Sequence, residues 1–201
     1  MELYDYTYEG SDFYCYPGTN VLKNKLGIKN DDALSIAERE IASIKMLMLY
    51  NMPTLQKFDF EALCKIHETI FSDIYEWAGE KRSGDFFSKG NSIFCRGQYI
   101  LENARIIFNT LSNEKYLCGL SKKVFIERLA YYMGEVNALH PFREGNGRTL
   151  REFFRQLALN ANYILDFSKT EKDDLLLADI EAFNGKYDSL IKILNKAIRA
   201  K

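Results

Sequence analysis

The chain has 201 residues, 47% of them hydrophobic and 27% charged, a composition that excludes a disordered or low-complexity protein. At roughly 150 residues per domain, residues 1–201 read as a single domain, and a chain of this size buries roughly 70% of its unfolded surface without disulfides or a structural metal. The 27 basic and 28 acidic residues sum to −1, so a protein that coats nucleic acid through a basic excess is disfavoured.

Cys15, Cys64, Cys95 and Cys118 form no C-x-x-C pair, and the only histidines are His67 and His140, so no structural zinc site is expected. The opening Met1-Glu2-Leu3-Tyr4-Asp5-Tyr6 is acidic and aromatic, unlike a secretory signal. No run of ~18 or more apolar residues is available to span a membrane. A cytoplasmic protein with reduced thiols is the expectation.

In chain order, residues 14–30 read as an irregular N-terminal arm with a turn at Pro17-Gly18. A helix is predicted from about Asp31, with Asp31 and Asp32 as cap-like acids, through Ile36, Ile41, Ile44, Leu47 and Met48 to near Pro53. Asp59 begins another, with Leu63, Ile66, Ile70, Phe71 and Ile74 on one stripe, ending around Gly79. His67 lies one residue from that stripe and reads as a structural histidine, and Trp77 reads as a hydrophobic anchor. Between Gly79 and Arg96 the helical pattern breaks into glycines and alternating β-formers, so a hairpin flap is predicted over 83–96.

Helices follow over Gln98–Leu111 and Ser121–Leu139; the second carries Phe125, Leu129, Tyr132, Val136 and Leu139 at alternating spacings of four and three, with Ser121 as N-cap. A fifth helix opens at the glycines near 145 and runs to about Ala161, a sixth begins at Thr170 or Asp173, and a seventh covers Tyr187–Ile198. The expected fold is all-α, a helical bundle with a small β-hairpin flap.

The stretch His140-Pro141-Phe142-Arg143-Glu144-Gly145-Asn146-Gly147-Arg148-Thr149-Leu150-Arg151 stands apart. Pro141 cannot continue the preceding helix, so His140 falls at a helix end, and the two glycines allow positive-φ backbone before the next helix begins. A helix start offers unpaired N–H groups and a partial positive charge, which suits an anion. Arg148, Arg151 and Arg155 share one helix face, and the first two lie where they reach a polyphosphate. Glu144 is placed to hold Mg2+, and His140 is the nearby base that titrates closest to neutrality. Together these are parts for phosphoryl or nucleotidyl transfer. No P-loop or Rossmann fingerprint occurs.

Residues 140–151 resemble the signature of the Fic family, H-x-F-x-[DE]-G-N-G-R-x-x-R, with every fixed position matched. Tyr16 to Gly27, Asp73 to Gly79 and Ser88-Lys89-Gly90 are also similar to short, toxin-type bacterial Fic proteins. The resemblance implies the Fic fold and a protein adenylyltransferase that moves AMP from ATP to a Tyr, Thr or Ser hydroxyl and releases pyrophosphate. It implies that His140 deprotonates the hydroxyl and that Glu144 ligates Mg2+. Gly145, Asn146 and Gly147 would cradle the α-phosphate, Arg148 would pair with the β-phosphate and Arg151 with the γ-phosphate. Phe142 would anchor the loop. The flap would align the target by strand addition, with Lys89, Gly90 and Ile93 bordering its channel.

Many family members carry an inhibitory S/T-x-x-x-E-G/N helix. Here only Ser72–Glu76 and Thr110–Glu114 have the acid spacing, and Trp77 and Lys115 follow where Gly or Asn is needed. The expectation is therefore inhibition in trans by a small antitoxin-like protein facing Arg151, with a type II topoisomerase subunit as the family-level guess at a target. Two alternatives stay open: transfer of UMP, phosphate or phosphocholine by the same cradle, or a silent module that binds nucleotide or partner.

Overall fold

Two helix starts in this chain are set by side chains that accept orphan backbone donors. Asn30 Oδ1 accepts from Ala33 N (2.9 Å) and opens the long helix α2 (Asp31–Tyr50), with Asp31 and Asp32 in its first turn rather than at its cap. Asp59 Oδ1 accepts from Ala62 N (2.8 Å) and opens α3 (Phe60–Phe71). The computed structural model describes residues 6–8, 11–89 and 92–201. The remaining helices are the four-residue α1 (Ser11–Tyr14), α4 (Ile100–Asn113), α5 (Lys122–Leu139), α6 (Asn146–Asn160), α7 (Lys172–Phe183) and α8 (Asp188–Ala197). Ser121 stands at the N-cap position of α5 but its side chain makes no capping bond.

Helix α5 is the centre of the bundle, packed against α4, α6, α7 and α8. The five residues of its predicted stripe are all buried, and so are Ile126, Ala130, Met133 and Gly134 on its other faces. Burial thus covers a wide sector of α5, while Lys122, Lys123 and Glu127 near its start stay exposed. Gly134 is required there, because a Cβ would come within 2.8 Å of the Tyr187 ring. Next to α5, Phe153, Phe154, Leu157 and Ala158 of α6 are fully buried, and Phe153 meets Phe58 and Phe108 edge-on at ring separations of 5.6 Å.

Two departures from the sequence expectation shape the rest. Helix α3 stops at Phe71 rather than near Gly79, and the chain continues in turns that still bury Ile74, Tyr75 and Trp77. Strands also extend beyond the flap. The flap strands β2 (Phe87–Lys89) and β3 (Ser92–Ile93) pair antiparallel, and β1 (Tyr6–Tyr8) adds to the other edge of β2 with Tyr8 opposite Phe87. A second pair, β4 (Tyr163–Leu165) with β5 (Ile198–Ala200), joins the end of α6 to the end of α8. The N-terminal arm is closed by a Cys15–Leu22 bridge and by Asn24, whose side chain bonds Ile28 N and the carbonyls of Leu22 and Ile28. No helix among the described residues is long and apolar enough to cross a membrane.

Candidate active site

Helix α5 ends at Leu139 and His140 takes a left-handed conformation (φ 43°), which turns the chain into the loop ahead of α6. Gly145 is left-handed too (φ 79°), and a Cβ there would lie 2.3 Å from the buried Phe71 ring. Its glycine is therefore demanded by packing as well as by φ. The loop is cross-tied. Phe142 N donates to Asn146 Oδ1 (2.9 Å), Asn146 Nδ2 donates to Phe142 O (2.7 Å), and Thr149 Oγ1 donates to Gly145 O (3.0 Å). The Asn146 side chain is thus turned to the loop's own backbone, and the opening amides of α6 are the groups left to meet an anion.

His67 bolts this loop to α3. Its Nδ1 accepts from Gly79 N (2.8 Å), so the neutral ring carries its proton on Nε2, which donates to Glu144 O (3.0 Å). The ring also stacks on Phe142 at 3.9 Å. Burial, seconded by the nearby Arg148 charge, drives its pKa down from 6.5 to about 4, against the pull of the Glu144 carbonyl. The structural reading of His67 is what the geometry shows.

The His140 ring is half-buried and stacks on Phe94 of the flap base at 3.7 Å, with Phe87 of β2 at 5.3 Å. Phe94 in turn meets Phe183 of α7 edge-on. Arg82, fully buried, joins the same parts through the backbone. Its Nε donates to His140 O (2.9 Å), its Nη2 donates to Cys95 O, and its own N–H donates to Pro141 O (2.7 Å). Cys95 N donates to Ala138 O (3.0 Å), so the flap base is pinned to the end of α5 from both sides.

Around the opening of α6 the charges pair closely. Glu144 Oε1 accepts from Gly145 N (2.8 Å) and lies 3.5 Å from Arg148 Nη2. Arg148 rests over the Phe71 ring (4.7 Å) and donates to Glu38 Oε1 of α2 at 2.5 Å. Arg151 Nη1 lies 3.3 Å from where a Gly147 Cβ would stand, so that glycine leaves room for the guanidinium. Burial weakens the hold of Arg151 on its proton, while Asp179 of α7 strengthens it; burial lifts the Asp179 carboxyl to about 6 despite Arg151. Arg155 belongs elsewhere: it forks onto buried Glu152 (2.7 Å twice), which also takes Gln156 Nε2.

One carboxylate beside an anion cradle suits Mg2+, which keeps waters and shares phosphate oxygens with few protein ligands. Among the described residues no cluster of three or more His, Cys, Asp or Glu is built to hold a metal by itself. In the flap, Ile93 is exposed on β3 and Lys89 closes β2, while Gly90 lies outside the described residues. Neither candidate inhibitory acid faces Arg151: Glu114 forks onto Arg128, and Glu76 is solvent-exposed beside Lys25. Arg82 and Glu38 are the residues that sequence reasoning missed. Each sits in an ordinary run of charges, Glu80-Lys81-Arg82 and Glu38-Arg39-Glu40, and only the tertiary fold takes it out of water.

The loop thus brings an imidazole at a helix end, an acid, a glycine-lined helix start and two arginines together. A model of the Fic/DOC family matches residues 57–158, and the chain belongs to that family. It is 43% identical over 190 residues to the protein adenylyltransferase VbhT of Bartonella schoenbuchensis, covering 94% of this chain and 40% of VbhT. The chain thus spans less than half of that relative. It is 37% identical to the probable protein adenylyltransferase Fic of Salmonella typhimurium, over 94% of each. Among solved structures, the effector BepC of Bartonella tribocorum, with bound AMPPNP, superposes with a TM-score of 0.87 at 29% identity, over 94% of this chain and 98% of that one. An ADP-bound N-terminal Fic domain from Bartonella quintana gives a TM-score of 0.89 at 28% identity, over 94% and 96%. The all-α fold with a small flap is the Fic fold.

Proposed function

We propose that the protein is an adenylyltransferase that moves AMP from ATP to a Tyr, Thr or Ser hydroxyl of another protein. The observation that carries the reading is the cross-tied 140–151 loop, which holds His140, Glu144, the opening amides of α6, Arg148 and Arg151 around one helix start. The relatives named as adenylyltransferases and the AMPPNP- and ADP-bound neighbours support it.

In this reading His140 takes the proton of the target hydroxyl as its oxygen bonds to the α-phosphorus. The bond to the bridging oxygen breaks, and pyrophosphate leaves. The amides at Asn146 and Gly147 donate to the negatively charged α-phosphate oxygens, Arg148 and Arg151 hold the outer phosphates, and Glu144 would be the protein ligand for Mg2+. Bound Mg2+ supplies charge neutralisation between phosphates. The Asn146 side chain acts by bracing the loop. Gly145 provides the turn that aims the helix start.

The flap residues Lys89, Gly90 and Ile93 border the target channel in this proposal. With β1 on one edge of β2, the outer edge of β3 is where an extended target segment adds. A small antitoxin-like partner supplies an acid to Arg151, entering a cavity of about 550 Å³ lined by Met46, Tyr50, Arg151, Arg155, Phe167 and Arg199. The setting is cytoplasmic, and a type II topoisomerase subunit is the target class to try first. The test is label transfer from ATP carrying 32P at the α or the γ position, with His140→Ala as control. Label from the α position alone supports adenylylation. Label from γ means phosphoryl transfer, and no label with any candidate target favours a binding module.

A further inference from the structure

Arg148 is met by two carboxylates of unequal grip. Glu38 Oε1 takes its Nη2 at 2.5 Å, whereas Glu144 Oε1, four residues back in the loop before α6, lies 3.5 Å off. Glu38 is itself held from behind, since its second oxygen accepts the hydroxyl of Tyr75. Tyr75 is buried and stacks on Trp77 at 4.4 Å, so it gives that hydrogen bond from a rigid wall. The Glu38 side chain is 12% exposed and the Arg148 side chain 27%, so water screens the pair little. The Arg148 guanidinium rests on Phe71, the same ring that forbids a Cβ at Gly145. Two elements outside the 140–151 segment, α2 and the turn after α3, therefore decide where an arginine of the helix start points.

We infer that Glu38, braced by Tyr75, is a positioning residue that fixes the Arg148 guanidinium over Phe71 and draws it off Glu144. This rests on the nucleotide reading above. Without Glu38 the nearest anion to Arg148 is Glu144, and the pair that forms would neutralise the acid proposed for Mg2+ and turn the guanidinium from the phosphates. With Glu38 present, one Nη2 hydrogen bond is spent and the fork keeps donors for an anion. The role is distinct from a brake: a carboxylate that merely competed with phosphate for Arg148 would loosen nucleotide binding, and its removal would tighten it.

The test is a double-mutant cycle on nucleotide affinity by calorimetry, with Mg2+ present and absent. Tyr75→Phe is the background, so that Glu38→Ala leaves no buried hydroxyl unpartnered. Glu38→Ala in that background is expected to weaken ATP binding about tenfold and to raise the Mg2+ concentration needed for half-saturation. In chains that also carry Arg148→Ala, the same change is expected to move affinity less than about twofold, because the residue it positions is gone. Equal loss in both backgrounds assigns Glu38 a purely structural part and overturns the inference. So does unchanged or tighter binding after Glu38→Ala. If the unaltered chain binds no ATP, the nucleotide reading itself falls and the inference with it, a result separable from the others by that one control.

Discussion

His67 and Asp179 make opposite demands on the folded state as pH falls, and the account stands on both. Burial holds the His67 imidazole neutral, with its pKa lowered from 6.5 to about 4. Between those values the unfolded chain binds a proton that the folded chain refuses, so acidification from neutrality removes stability. Burial of Asp179 lifts its carboxyl from 3.8 to about 6. Over that interval the folded chain binds the proton more readily, so acidification adds stability. At about 1.36 kcal/mol per pH unit of difference, going from pH ~7 to ~4.5 costs about 2 kcal/mol at His67 and returns about 2 kcal/mol at Asp179. The two contributions nearly cancel in the natural chain and separate on substitution. His67→Gln is expected to gain about 2 kcal/mol relative to the natural chain on this acidification, and Asp179→Asn to lose about 2 kcal/mol. Urea unfolding of the three proteins at both pH values measures this, because carboxylates common to all of them drop out of the differences. Parallel pH profiles for all three would refute the hydrogen-bond and burial assignment of the His67 bolt.

Other outcomes follow from single contacts. Gly145→Ala places a Cβ against Phe71 at φ 79°, and thermal unfolding should show a loss of about 2 kcal/mol or more. Arg82→Met leaves the carbonyls of His140 and Cys95 without their buried donor; denaturant unfolding should show about 1–3 kcal/mol lost for each, and label transfer should fall with it. Arg128→Ala, remote from the loop, removes a half-exposed fork onto Glu114; about 1 kcal/mol of stability should go while label transfer stays. Deleting the hairpin should abolish protein modification and spare ATP binding, read by label transfer and calorimetry on the same sample. Loss of ATP affinity as well would assign Phe94, which stacks on His140, a second duty.

The bundle was legible where one physical cause dominated. Alternating four-and-three spacing marked α5, and all five of its stripe residues are buried. The glycines, proline and charges of 140–151 marked the candidate site because each residue type has a local reason to be there. Helix α3 was overextended because Ile74 continues its apolar period, yet burial continues past Phe71 on turns that no proline or glycine announces before Gly79. Strands β4 and β5 escaped because each has three residues and finds its partner more than thirty positions away. Arg82 carries no sequence signal at all. Its burial is created by three carbonyls from the flap and the loop, and Glu38 likewise sits in an ordinary run of helix charges, Glu38-Arg39-Glu40.

The most direct measurement compares ATP affinity and AMP transfer in one preparation of the His140→Ala chain. The account predicts nucleotide binding close to that of the natural chain together with loss of AMP transfer to a protein acceptor. Transfer that persists without the imidazole, or binding that vanishes with it, would contradict the assignment of His140 as the base.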